Sequence, residues 1–300
     1  LPMRKIYKSL VRLSIALGIY GAFWFVWLLP VCTYGPLSLI LGTTGYYTMR
    51  LSRRRILANL SLAFGNSRSE SWRQRTCRRL LQEIVRNAIE IIAWSKSRGQ
   101  AVEKCVSVTG AERLSQALQE ERGVVAVCAH LGNFPALQIK LLRMGFPMKV
   151  IIRNATNVYL NRLWARMMTC VGMRYIYKAD LRRAIEASRQ SLRQGDCLCI
   201  YLDQHAGNGV RAPFFGHQVM VPVGAAVLSR KYQSPVVGIF TFRGANGRHQ
   251  VVIEGPYRLQ RTTDAEADIR ANTALFISRV EAYVRQHPEQ WFSWVHRRFR

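Results

Sequence analysis

Two clusters in this 300-residue chain have residue types and spacing that could do chemistry. The first is Ala129-His130-Leu131-Gly132-Asn133-Phe134-Pro135, which follows the apolar run Val124-Val125-Ala126-Val127-Cys128. A histidine at the exit of a buried strand can face a cleft and act as a general base, because imidazole titrates near neutrality. Beside an acceptor hydroxyl, such a base would generate an alkoxide able to attack an ester or thioester. Gly132 lets backbone approach a ligand, and free N–H groups at the start of a following helix could hold a developing oxyanion. Asn133 reads as the N-cap of that helix. Pro135 suits a first helical turn, where its missing N–H is not needed. It brings no carboxylate that could orient the imidazole and stabilise its cation.

The second cluster is Asp203-Gln204-His205-Ala206-Gly207, continuing through Val210-Arg211-Ala212-Pro213-Phe214-Phe215-Gly216. It reads as a glycine-rich loop with an acid, a base and an aromatic pair, able to clamp a polar headgroup or a pantetheine arm. Asp203 could serve His130, or form a dyad with His205. Arg153 follows another apolar run and could neutralise a phosphate. His130 and Asp203 are therefore the candidate catalytic residues. Gly132, Asn133, Arg153, Gln204 and Arg211 are the candidate substrate-binding residues. No spacing of the seven cysteines resembles a metal site, and no cofactor is expected. Each feature also has a bland reading: a hydrogen-bonded structural histidine, an ordinary turn-rich loop, a solvated arginine.

Alternating strands and helices must position these residues. The patterns predict strands over 106–109, 123–129, 148–153, 175–177, 197–202, 236–243 and 249–253. They predict helices over 111–120, 134–144, 158–170, 181–193, 223–231 and 265–287. Upstream, residues 53–64 and 69–94 carry apolar stripes at helical spacing. This alternation implies an α/β fold, a mixed and mostly parallel sheet flanked by helices. Ligands in such sheets bind beyond the carboxyl ends of strands. His130, Arg153 and Asp203 each end or follow a predicted strand, so one cleft could gather all three.

The formal net charge of +27, from 44 Lys and Arg against 17 Asp and Glu, implies an anionic partner. Zinc-finger, RNP and basic-zipper patterns are lacking, which argues against nucleic acid. Residues 13–49 contain no charge and are bracketed by Arg4, Lys5, Lys8, Arg12, Arg50, Arg53, Arg54 and Arg55. Its first part, residues 13–29, nearly meets the length a bilayer requires, and Pro30 and Pro36 then break the run. A single transmembrane helix, a segment that enters and leaves on the cytoplasmic face, and a buried soluble hairpin remain open. The expected division is a membrane anchor over 1–50 and an α/β domain over 51–300.

The ordered blocks resemble the late lipid A (lauroyl/myristoyl) acyltransferases of the lysophospholipid acyltransferase superfamily. The blocks are the apolar N-terminus, Arg53-Arg54-Arg55-Ile56-Leu57-Ala58-Asn59-Leu60-Ser61-Leu62-Ala63-Phe64, and Ala129-His130-Leu131-Gly132-Asn133-Phe134. Asp203-Gln204, the run 210–216, His287-Pro288-Glu289-Gln290-Trp291-Phe292 and His296-Arg297-Arg298 complete the set. The resemblance implies a bacterial inner-membrane enzyme facing the cytoplasm. It would move an acyl chain from acyl carrier protein, or acyl-CoA, to a glycolipid hydroxyl, with anionic lipid as a further partner. In the family the histidine pairs with an acid five residues later. Here Pro135 stands at that position, and His205 stands where a second Asp often follows Asp-Gln. Two readings result: an active acyltransferase in which Asp203 or a water replaces the acid, or a catalytically degenerate accessory factor that binds glycolipid or carrier protein.

Overall fold

The computed structural model describes residues 2–152, 157–178 and 180–299. Its centre is a seven-stranded sheet in the order β1-β9-β8-β2-β5-β3-β4. The strands are β1 (Val106–Thr109), β2 (Val124–Cys128), β3 (Met148–Ile152), β4 (Arg174–Tyr177), β5 (Cys197–Tyr201), β8 (Val236–Arg243) and β9 (His249–Glu254). All neighbours pair in parallel except β8 with β9. The mixed, mostly parallel α/β fold expected from the sequence is present. β2 is buried at every position, as a strand covered by helices on both faces requires.

Helices α6 (Ala111–Leu118), α7 (Phe134–Arg143), α8 (Val158–Cys170), α9 (Leu181–Arg193), α10 (Gly224–Tyr232) and α11 (Ala265–Gln286) alternate with the strands. Their ends follow capping chemistry. Asp180 and Asp264 accept backbone N–H groups from Arg183 and Ala267 at the starts of α9 and α11. Two helices precede this layer, α3 (Arg50–Phe64) and α4 (Glu70–Lys96), and a short α5 (Ala101–Cys105) joins them to β1.

Residues 203–209 of the run read as a glycine-rich loop are irregular, but from Val210 onward it is instead a hairpin, β6 (Val210–Phe214) and β7 (His217–Val221). Val210, Ala212 and Phe214 alternate with the exposed Arg211 and Pro213. The two turn residues, Phe215 and Gly216, both have positive φ, at 52° and 77°. Hairpin turns of this type favour Asn-Gly, so Phe215 gives no turn signal in the sequence. Its left-handed backbone is held by tertiary contacts: its N–H donates to Glu281 Oε2 at 2.6 Å, and Arg285 lies over its ring.

The N-terminus forms α1 (Pro2–Leu28) and α2 (Tyr34–Thr48). Among the described residues no single helix is long and apolar enough to cross a membrane. The segments Leu13–Leu28 and Val31–Thr48 meet at 119°, at the break that contains Pro30. Many apolar side chains there are exposed, among them Leu17, Trp24, Phe25, Leu28, Leu39 and Ile40. The opposite side of α2 docks on α4. A Cβ on Gly42 would lie 2.4 Å from the Gln82 Cα, so glycine is what allows the two helices to touch there.

Candidate active site

The pairing of β2 with β5 assembles the site. Their parallel register sets Cys128 opposite Tyr201. Two residues further along each strand come His130 and Asp203, now side by side at the carboxyl edge of the sheet. His130 Nδ1 lies 2.7 Å from Asp203 Oδ1, and the His130 backbone N–H donates to Asp203 Oδ2 at 2.8 Å. The His130 side chain is 18% exposed and that of Asp203 is 0% exposed. The imidazole can therefore meet a substrate, and the carboxylate can act only through the imidazole.

The C-terminal tail completes the carboxylate's shell. Leu131 pairs with Trp291 in an antiparallel bridge, and the Phe292 N–H donates to the His130 carbonyl at 2.9 Å. That zipper brings two more donors to Asp203 Oδ2: Trp291 Nε1 at 2.7 Å and Ser293 Oγ at 3.0 Å. Burial alone would push the Asp203 carboxyl up. The attraction and hydrogen bonds of His130, with the Trp291 donor, outweigh it and hold the group down to about 2. Asn59 of α3 fixes the tail by donating to the carbonyls of Trp294 and His296 at 2.7 and 2.8 Å. The aromatic tail is thus core packing: Trp291 and Trp294 are both fully buried. Trp291 and Ser293 are the site residues that sequence reasoning missed. The block that contains them was visible, but their aim at Asp203 was not.

A second network stands behind the histidine loop. Arg243 of β8 donates to Glu83, Asn87 and Glu90 of α4, at 2.7–3.0 Å. His249 Nε2 lies 2.8 Å from Glu90. Burial would raise the Glu90 carboxyl, but its His249 and Arg243 partners take it down to about 2. Asn87 Nδ2 donates to the Gly132 carbonyl at 3.0 Å, and Asn133 Nδ2 donates to Glu90 at 3.1 Å. This buried polar cluster ties α4, β8 and β9 to the turn that carries His130.

The remaining sequence candidates are placed differently. Gly132 is buried with φ +54°, and a Cβ there would meet the Thr241 carbonyl oxygen at 2.7 Å. Its close approach is to β8 backbone. Asn133 occupies the N-cap position of α7 without a side-chain cap hydrogen bond, and its side chain turns inward to α4. Gln204 is half-buried just beyond Asp203, and Arg211 is exposed on β6. His205 is exposed, and the histidine that Asp203 meets is His130. Arg153 lies outside the described residues. Pro135 is buried in the first turn of α7. Around the imidazole, Phe134 and Tyr201 put ring centroids 4.9 and 4.6 Å from its own. Among the described residues no three His, Cys, Asp or Glu side chains converge as a metal site.

A histidine backed by a buried, ionised aspartate on adjacent parallel strands is an arrangement for proton abstraction. The chain matches the family model for bacterial lipid A biosynthesis acyltransferases over residues 4–300. It belongs to that family. The match covers the bent N-terminal helices, both partners of the His130–Asp203 pair and the tail that supports them. No curated protein matches the chain. Membership makes acyl transfer in lipid A biosynthesis the activity of the chain's family.

Proposed function

We propose that this chain is an active acyltransferase that moves a fatty acyl group from acyl carrier protein, or acyl-CoA, to a hydroxyl of a lipid A-like glycolipid. The observation that carries the reading is the 2.7 Å contact between His130 Nδ1 and Asp203 Oδ1. An ionised Asp203 holds the proton on Nδ1 and leaves Nε2 to act as base. Nε2 takes the acceptor hydroxyl's proton while its oxygen attacks the thioester carbonyl. The tetrahedral intermediate collapses, the C–S bond breaks, and the imidazolium returns the proton to the leaving thiolate. Asp203 stabilises the imidazolium between these steps. In this reading it supplies the carboxylate that the residue at position 135 lacks; the alternative is a catalytically degenerate relative that binds glycolipid or carrier protein.

In this reading the reaction takes place at the cytoplasmic face of the bacterial inner membrane. The bent apolar pair α1–α2 embeds in the bilayer, and the basic residues around it meet anionic lipid. The excess of positive charge draws in an acidic carrier protein. The experiment is transfer of a labelled acyl chain from carrier protein to candidate glycolipids by detergent-solubilised protein. The His130→Ala variant is expected to lose about 10²–10⁴-fold in rate, as loss of a general base does. A folded His130→Ala variant that transfers at the wild-type rate refutes the assignment. A wild-type protein that transfers to no glycolipid hydroxyl refutes the function.

A further inference from the structure

Arg298 is a buried cation that the proposed reaction does not use. It is 1% exposed. Its Nη1 donates to the Met220 carbonyl of β7 at 2.7 Å, and its guanidinium lies 5.1 Å from the Phe214 ring centroid. Its Nε and Nη2 have no hydrogen-bond partner among the described residues, and no carboxylate forms a salt bridge with it there. A buried guanidinium left with unmade hydrogen bonds is costly, and that cost calls for a compensating role. Phe214 connects it to the site: its ring centroid is 5.5 Å from that of Trp291, whose Nε1 holds Asp203.

We propose that Arg298 is a positioning residue for the His130–Asp203 pair, a counter-ion set back from Asp203 that favours its ionised form without occupying its lone pairs. The inference rests on the acyltransferase reading of that pair. A cation in direct contact with Asp203 would compete with His130 for the carboxylate. One held behind Phe214 and Trp291 acts through a water-poor interior, where charges interact over longer distances than in solvent. Burial pulls the Arg298 guanidinium down to about 10, and the Asp203 charge opposes that fall. The same field disfavours a second positive charge on the pair. The other groups that face the pair are Cys128 on β2, Tyr201 on β5 and His296 on the tail, with Arg55 of α3 beside His296. Of these, Arg55 is exposed to solvent, and burial pushes His296 down, away from its charged form.

The test is an NMR titration of the His130 ring in the detergent-solubilised full chain, alongside the pH profile of acyl transfer. Arg298→Gln keeps a donor for the Met220 carbonyl and removes the charge. Its loss makes proton uptake by the pair easier, so the titration midpoint and the acid limb of the rate both move to higher pH. The expected movement is about half a pH unit or more. Arg298→Lys keeps the charge and should hold both near the wild-type position. A folded Arg298→Gln protein with a lower rate but an unmoved midpoint and limb overturns the proposal and leaves Arg298 as a clamp on the hairpin. If Arg298→Gln does not fold, Arg298→Lys decides, because a midpoint that moves although the charge is kept also overturns it. The ring titration needs no turnover, so a chain that transfers nothing sinks the acyltransferase reading separately.

Discussion

Asp203→Asn keeps the size of the side chain and removes its charge, and four hydrogen bonds decide its effect. Asp203 accepts from the His130 backbone N–H, Trp291 Nε1 and Ser293 Oγ at Oδ2, and meets His130 Nδ1 at Oδ1. An asparagine offers an acceptor oxygen at one end and only N–H donors at the other. If its oxygen faces His130 Nδ1, its NH₂ group faces two N–H donors that cannot turn away, and a buried unmade donor costs about 1–3 kcal/mol. If the amide flips, its NH₂ faces Nδ1, the proton moves to Nε2, and the base is lost. The flipped form avoids the buried clash with Trp291 and the His130 amide, so the catalytic loss should dominate. In an analogous triad an aspartate-to-asparagine change lowers turnover about 10⁴-fold through the wrong tautomer, and a fall of about 10³-fold or more is expected here. Stability should fall as well. The depression of Asp203 from 3.8 to about 2 corresponds to about 2 kcal/mol at neutral pH. Because the folded-state value is lowered, that contribution is present above about 4 and is lost as pH falls toward 2. Asp203→Asn should therefore melt lower than wild type at pH 7, with the gap closing on acidification. The assay is single-turnover transfer from a labelled acyl thioester, paired with thermal unfolding at several pH values. A folded Asp203→Asn protein within threefold of the wild-type rate would refute the pairing as the source of catalysis.

Three further perturbations read other parts of the structure. Pro135→Glu should not raise the transfer rate, because Asp203 already occupies the imidazole's Nδ1 side and position 135 is buried; a rate gain of tenfold or more would show that the acid is still missing. Gly132→Ala should lower stability by about 2 kcal/mol or more, since a left-handed backbone is strained with a Cβ and that Cβ would press on the Thr241 carbonyl; an unchanged melting temperature or denaturant midpoint would count against a left-handed turn packed on β8. The chain should stay with membranes through a high-salt wash and leave them only with detergent, because the exposed apolar residues of α1 and α2 outlast screened charge attraction; full release by salt alone would leave only an electrostatic contact.

Much of the scaffold was legible from the order of residues. β1, α8, α9 and β8 have the ends that the patterns predict, and most other elements differ by one or two residues. Those signals are local: the period of apolar positions, the caps, and the glycines and prolines between them. His130 at the end of one apolar strand and Asp203 after another were legible for the same reason. Their meeting was not, since it depends on β5 lying beside β2 with Cys128 opposite Tyr201, although 73 residues separate the pair. Trp291 and Ser293 reach Asp203 from further along still, because the tail after α11 pairs with Leu131 and His130. The hairpin β6–β7 escaped because its turn residue, Phe215, is held left-handed by Glu281 and Arg285 rather than by its own preference. Gly132 needed a positive φ, which the sequence allowed, but the backbone it must approach was decided only by the packing of β8. The sequence by itself determined the strands, the helices and which residues stand at their ends, because near neighbours set those preferences. Tertiary structure decided which ends meet, because strand order, register and a carboxylate's full set of donors are fixed by contacts between residues far apart in the chain.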